Sequence, residues 1–123
     1  MGWSFARLSR ELTKAGRDIP ALGLGRIETG QRRVDVDDLT ALAVVFEVSP
    51  VSLLMPRTEA DHPDDFVQLT GTDTMPGTRA WSWLIGAYPL GGSVLSFYNH
   101  ALPSWERNAL EENLGAKRSG KLD

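Results

Sequence analysis

Three arginines lie near one another in the N-terminal half of the chain, Arg26 before Gly30, and Arg32 and Arg33 just after it. A guanidinium group binds phosphate through parallel hydrogen bonds, and it can also bond the O6 and N7 atoms of guanine. The first 33 residues hold seven Lys or Arg against three Asp or Glu, although the whole chain has a net charge of −3. This segment is therefore the only one in which we expect a phosphate-binding face.

Residue types that support catalysis or metal binding form no recognisable pattern. His62 and His100 are 38 residues apart, and neither belongs to an HExxH motif. The acidic residues Asp61, Asp64 and Asp65 lack the glycine and the distal glutamate of a calcium-binding EF-hand loop. The absence of cysteine removes disulfides, thiolate ligands and a cysteine nucleophile. We predict a protein that is not an enzyme and needs no metal or cofactor.

The composition is that of a globular protein, since 41% of the 123 residues are hydrophobic and 24% are charged. No apolar run approaches the ~20 residues that a transmembrane helix needs. The N-terminus has no basic segment followed by an apolar one, so no signal peptide is predicted. We expect a cytoplasmic protein that does not enter the membrane.

The elements that must position the arginines are helices. Ser4 is a good N-cap, and apolar residues spaced by three and four predict a helix over about 5–15. A second helix is predicted over about 20–29, with Asp18 as its cap and Pro20 in its first turn. Each helix is followed by a glycine suited to its C-terminal end, Gly16 and Gly30.

Two further helices are predicted after the arginines. Asp35 or Asp37 begins the first of them, because acidic residues favour the positive end of the helix dipole. Its apolar stripe repeats at helical spacing and consists of Leu39, Leu42, Ala43 and Phe46. Ser49 followed by Pro50 predicts a short helix that runs to about Leu54.

The rest of the chain is predicted to be a linker and an extension. Residues 57–65 are polar and contain proline, which is typical of a linker. Residues 66–123 form a C-terminal extension of uncertain structure. Within it, 66–71 favours a strand, and 93–102 and 106–117 favour helices.

Most of the aromatic residues lie in this extension, and they leave two interpretations open. Trp81, Trp83 and Trp105 accompany Phe97 and Tyr98. They can form a small apolar cluster that packs on the helical part of the chain. Alternatively, they can form an exposed interface for self-association as a homodimer or for a partner protein, since aromatic residues are enriched in interfaces.

The segment GWSFARLSREL, followed by IPALGLGRIETGQRRVDVDDLTALAVVFEVSPVSLL, resembles the Xre/Cro-type helix-turn-helix family, close to its actinobacterial and phage members. Its most specific part is RIETG, then basic residues, then an apolar helix. The resemblance covers about residues 2–56. It implies a mainly α fold in which residues 1–56 form a lambda-repressor-like helical bundle that lacks the family's usual first helix.

The resemblance implies a sequence-specific DNA-binding transcriptional regulator, with repression expected rather than activation. In the family, the equivalent of the second predicted helix lies in the major groove of double-stranded DNA. The matching outward positions are Ala21, Leu22, Gly23 and Arg26. Arg32 and Arg33 match a phosphate-contacting loop. Ser4, Phe5 and Arg7 match positions near the DNA backbone.

The outward side chains differ in how well they can discriminate between DNA bases. Arg26 can discriminate guanine by roughly 1–3 kcal/mol, whereas Ala21 and Leu22 can only contact a thymine methyl group. Arg26 has an alternative in a surface ion pair with Glu11 or Glu28, which would contribute little to stability.

The second predicted helix also departs from the family. Many members place glutamine or serine where this chain has Ala21, Leu22 and Gly23. Gly23 and Gly25 should each cost roughly 0.5–1 kcal/mol within a helix. The missing first helix, the apolar face of this helix and the acidic C-terminal half of the chain favour an alternative function, a protein-interaction module such as an antitoxin or a truncated regulator without independent DNA binding. The dependence of binding on salt concentration distinguishes the two functions. DNA binding releases counterions and weakens steeply as salt rises, whereas binding through an apolar protein interface does not.

Overall fold

Most of the described chain is helical, which confirms the predicted mainly α class. The computed structural model describes the backbone of residues 2–118 and the side chains of residues 2–113. Within that range there are seven helices and one pair of short antiparallel strands. The chain divides into a first unit, Met1–Met55, and a second unit, Pro56–Asp123. No helix in the described range is long and apolar enough to cross a membrane.

The helices α1 (Phe5–Lys14) and α2 (Ala21–Glu28) open the first unit. Ser4 caps α1 as predicted, because its hydroxyl accepts a first-turn backbone N–H at 3.2 Å. Gly16 and Gly30 follow the ends of the two helices with φ values of 88° and 76°. This left-handed conformation favours glycine, so both predicted helix ends are confirmed.

The predicted N-cap of α2 is wrong, although the helix begins within one residue of its predicted start. Asp18 does not cap the helix; Pro20 takes the N-cap position, and no side chain bonds the first-turn N–H groups. Ile19 is 1% exposed, and the Ser9 hydroxyl donates a hydrogen bond to its carbonyl oxygen at 2.6 Å. These contacts hold the chain before α2 against the core, so the helix begins only after Pro20.

The helices α3 (Val36–Phe46) and α4 (Pro50–Leu54) complete the first unit. Asp35 caps α3 as predicted, and its carboxylate accepts the N–H of Asp38 at 2.7 Å. The Asp38 carboxylate accepts the N–H of Asp35 in return, at 3.2 Å. Ser49 caps α4 as predicted. The acidic residues that follow the arginines therefore begin a helix.

The core of the first unit lies where α1, α2 and α3 meet. Its buried side chains are Leu12, Ile19, Leu24 and Ala41, and the partly buried Leu8, Ile27, Leu42 and Val45 pack against them. Leu42 and Ala43 of the predicted α3 stripe face inward, and Ala41 joins them although its position is outside that stripe.

One charged group is buried beside this core. Asp38 is 2% exposed, and Arg17 donates a hydrogen bond to it from Nε at 2.8 Å. Arg17 also bonds Asp35 through Nη2 at 2.8 Å. Burial opposes ionisation of Asp38, but the hydrogen bonds from Arg17 and from the Asp35 backbone outweigh that cost and lower the pKa of Asp38. The hydrogen bond to Asp38 in turn raises the pKa of Arg17.

We expect Asp38→Asn to lower the free energy of unfolding by about 1.5 kcal/mol at neutral pH, because a charged hydrogen bond is lost. The folded pKa of Asp38 is below its unfolded value of about 3.9. The ionised carboxylate therefore stabilises the wild type above that pH, and the contribution disappears as pH falls through the folded pKa. Urea unfolding from neutral pH down to about pH 2 measures both effects. The exposed Asp37→Asn is the control, and an equal loss in the two variants would contradict the assignment.

The second unit begins with a small strand pair and continues as helices. β1 (Phe66–Val67) pairs antiparallel with β2 (Met75–Pro76), so the predicted strand over 66–71 is shorter than expected. The helices that follow are α5 (Gly77–Leu84), α6 (Val94–Ala101) and α7 (Ser104–Arg118). The predicted helices over 93–102 and 106–117 correspond to α6 and α7.

The predicted linker, residues 57–65, is bonded to other parts of the second unit. Within the segment, the Thr58 hydroxyl donates a hydrogen bond to the Asp65 carboxylate. The backbone N–H of Gly77 donates to the Asp65 carbonyl oxygen at 2.8 Å. This segment therefore supports the start of α5.

Candidate nucleic-acid interface

The outer face of α2 is formed by residues one helical turn apart. Leu22 is 67% exposed, and Arg26 is exposed on the same side. Ala21 is half-buried beside them. Leu24 is buried on the opposite side of the helix. Three of the four predicted outward residues therefore lie on the surface of the first unit.

Gly23 is the exception, because it is buried. A Cβ atom at this position would lie 2.4 Å from Nη1 of Arg32. The guanidinium of Arg32 therefore lies against α2 in space that only glycine leaves open. The prediction that Gly23 faces outward is wrong, since the loop after α2 folds back over it.

The two loop arginines differ in exposure. Arg32 is half-buried, and its charge helps to lower the pKa of Asp38 after the larger effects of burial and hydrogen bonding. Arg33 is exposed. Arg32 thus contributes to the electrostatics around the buried Asp38. The Arg33 guanidinium, by contrast, is exposed and open to a ligand.

The residues at the start of α1 are placed beside α2. Phe5 is 40% exposed, and its Cε2 atom lies 3.6 Å from where a Cβ of Gly25 would be. Ser4 is exposed but its hydroxyl already accepts the N–H of Arg7. The guanidinium of Arg7 lies over the Trp3 ring, 4.1 Å from its centroid. Of the three predicted residues here, Phe5 contributes most to the surface around α2.

A shallow depression of about 660 Å³, here called the α2 groove, is lined by Phe5, Ala21, Leu22, Gly25, Arg26, Thr29 and Gln31. The Thr29 hydroxyl is turned back and donates to the carbonyl oxygens of Gly25 and Arg26 at 3.2 and 3.3 Å. Arg26 and Gln31 are therefore the lining residues whose side chains can still bond a ligand. The remainder of the α2 groove is apolar.

Ion pairs show which arginines are held by carboxylates of the first unit and which can still bind a ligand. Glu11 pairs with Lys14 at 3.1 Å, so it is not the partner of Arg26. Among the residues that the structure describes, no carboxylate lies within 4.0 Å of Arg26 or Arg33. The alternative surface ion pair of Arg26 is thus not formed in this part of the chain.

Sequence reasoning missed the role of Arg17, which belongs to the same basic segment. It pairs with Asp35 and Asp38 at 2.8 Å each and so joins the end of α1 to the start of α3. The spacing of the two aspartates signals their capping role. No spacing in the sequence signals which cation will pair with them.

Other polar groups do not assemble into a ligand site. In the part of the chain that the structure describes, no three His, Asp or Glu side chains come together in a way that would hold a metal ion. His62 lies 3.9 Å from Asp64 on the surface, and His100 bonds the backbone of its own helix. The α2 face is therefore the candidate site.

Comparison of the chain with protein-family models, with curated proteins and with solved structures gives no match. No function of a relative is therefore carried over to this chain. Its function is inferred from the contacts and charges of the α2 face.

Proposed function

We propose that the first unit is a helix-turn-helix module and that the chain is a sequence-specific DNA-binding transcriptional regulator of the Xre/Cro type. The observation that carries the proposal is the outer face of α2, where the exposed Arg26 has no acidic partner among the described residues. Bound at an operator, the protein would exclude the transcription machinery and repress. No cofactor is required.

The packing of α1 on α2 supports this proposal. Leu12 and Leu24 are buried between the helices, with Ile27 packed against them. Residues 15–20 connect the helices and include a left-handed Gly16. Two packed helices with a glycine in their connection are the arrangement that presents a second helix to the major groove.

Groups that favour phosphate flank the outer face of α2. At its N-terminus, Pro20 provides no side-chain acceptor for the first-turn N–H groups. Such groups, together with the helix dipole, favour an anion. At the other end, Arg33 is exposed. We infer that Arg33 contacts phosphate and holds α2 in register while Arg26 reads a guanine.

Arg33→Ala is expected to weaken binding to target and random duplexes alike, because a phosphate contact carries no sequence information. The slope of log affinity against log salt concentration should fall in magnitude by about one. Fluorescence anisotropy over a salt series measures the slope. Arg57→Ala, an exposed arginine of the second unit, is the matched control and should leave the slope unchanged. An unchanged slope in Arg33→Ala would contradict the phosphate contact.

A second candidate is a protein-interaction module, either a homodimer or a complex with another protein. The observation that favours it is the exposure of large apolar residues in the second unit, where Leu95 is 70% and Trp105 is 69% exposed. Aromatic residues are enriched in protein interfaces. Light scattering of wild type and Trp105→Ser tests it. A change in oligomeric state would support this candidate, and monomers in both would contradict self-association.

A further inference from the structure

We infer that Arg32 is a positioning residue, because its guanidinium packs on Gly23 and holds the loop after α2 on that helix. The loop carries Arg33, so the Arg32–Gly23 contact sets where the proposed phosphate contact lies relative to the base contact of Arg26. The inference rests on the proposed function and deepens it. It assigns to specificity an arginine that the family resemblance places at a phosphate.

The side chain of Arg32 occupies space that exists only because residue 23 is glycine. Gly23 is buried within α2, and a Cβ atom there would overlap Nη1 of Arg32 and lie 3.5 Å from its Cζ. Arg32 is itself half-buried. The contact gives a physical reason for a glycine inside a helix, where alanine would otherwise be more stable.

The backbone of Arg32 is bonded to the same helix, one turn further along. Its N–H donates to the carbonyl oxygen of Arg26 at 3.1 Å, and the N–H of Gln31 donates to the same oxygen at 2.7 Å. Gly30, with a φ of 76°, reverses the chain direction at this point. The backbone and the guanidinium of Arg32 therefore contact α2 at two places three residues apart, which fixes both the position and the direction of the loop.

The charge of Arg32 also links the loop to α3. Asp38 is 2% exposed, and its burial opposes ionisation. The hydrogen bond from Arg17 contributes most to lowering the pKa of Asp38, and the charge of Arg32 adds to it. Because a buried carboxylate attracts a nearby guanidinium, Arg32 is drawn towards the interior. Arg33, the next residue, is exposed, so the two consecutive arginines have different roles.

A double-mutant cycle on the full chain without DNA tests the Arg32–Gly23 contact. We expect Gly23→Ala to be more favourable in an Arg32→Ala background than in the wild type, by at least about twofold in the ratio of folded to unfolded protein. In the wild type the added methyl group must displace the guanidinium. The contact of that methyl group with Ile19, at 3.4 Å, is common to both backgrounds and cancels. Urea unfolding measures the ratio.

The matched background for this cycle is Arg33→Ala, in which Gly23→Ala should have the same effect as in the wild type. Equal effects of Gly23→Ala in all three backgrounds would contradict the Arg32–Gly23 contact. A second readout leaves both arginines in place. In nuclear magnetic resonance spectra, Gly23→Ala should shift the side-chain Nε–H signal of Arg32 and leave that of Arg33 unchanged, and an unmoved Arg32 signal would also contradict the contact.

DNA binding by the full chain distinguishes positioning from phosphate contact. The target duplex carries a motif enriched from a random library. Arg32→Ala and Gly23→Ala should each reduce the preference for target over random DNA roughly three- to tenfold, because the base contact is loosened rather than deleted. Both variants should keep a salt slope close to that of the wild type. A phosphate contact would instead weaken both duplexes alike and lower the slope by about one, as expected for Arg33→Ala.

The inference and the proposed function can fail separately. If Arg32→Ala lowers the slope by about one and leaves the preference unchanged, Arg32 is a phosphate contact, the inference is wrong and the proposed function stands. An unchanged preference in both variants would also overturn the inference. Failure to enrich any motif would overturn the proposed function and the role in specificity with it, whereas the cycle without DNA would still establish whether Arg32 packs on Gly23.

Discussion

Leu12→Ala is expected to unfold the first unit under conditions in which the wild type is folded. Leu12 is 0% exposed and lies in the core formed by α1, α2 and α3. A buried Leu→Ala substitution costs about 2–5 kcal/mol, since apolar contacts are lost and a cavity remains. A unit that ends at Met55 is too small to bury a large core, so its stability is expected to be marginal. Thermal and urea unfolding followed by circular dichroism measure the loss.

The control for this prediction is another leucine of the same unit. Leu22→Ala removes the same atoms from a side chain that is 67% exposed. We expect it to change the free energy of unfolding by no more than ~0.5 kcal/mol. If the two variants were equally stable, Leu12 would not be a core residue and the packing that exposes the outer face of α2 would be wrong.

Arg26→Ala is expected to reduce the preference for the target sequence over random DNA by about one to two orders of magnitude. This range corresponds to the roughly 1–3 kcal/mol that a bidentate arginine–guanine pair contributes to discrimination. Arg26 is exposed on the outer face of α2, so its removal should leave the fold intact. Competition between target and random duplexes measures the ratio of affinities.

Arg26→Lys separates base reading from charge. Lysine keeps the positive charge but not the planar fork that bonds two acceptors at once. We expect this variant to bind random DNA as the wild type does and to lose much of the preference for the target. An equal loss of target and random DNA in Arg26→Ala would instead indicate a phosphate contact.

Local signals in the sequence predicted the ends of most helices in the first unit. Ser4, Asp35 and Ser49 cap helices because their side chains reach backbone N–H groups only a few residues away. Gly16 and Gly30 take a left-handed conformation that most residues avoid. Each of these features depends on neighbours in the sequence, so spacing alone is sufficient to find it.

Features that depend on distant contacts were missed. The N-terminus of α2 is displaced from Asp18 because Ile19 is buried and bonded to Ser9. Gly23 is buried because the Arg32 side chain folds back over it. Both depend on how the first unit packs in three dimensions.

The candidate site was predicted in part. Leu22 and Arg26 lie on the exposed face expected of them, since the burial of Leu24 fixes the orientation of α2. Arg17 was counted with the basic residues available for phosphate, but it pairs with Asp38 inside the first unit. Charge counts along a sequence cannot separate these two uses of arginine. The role of the outer face in DNA binding stays a prediction.

Selection of the full chain against a random double-stranded DNA library tests the central proposal most directly. The selection is run at low and then at moderate salt, so that weak phosphate binding is removed in the second step. We predict an enriched motif that contains a guanine and that is lost with Arg26→Ala. Recovery of random sequence at both salt concentrations would contradict the proposal that this chain is a sequence-specific DNA-binding protein.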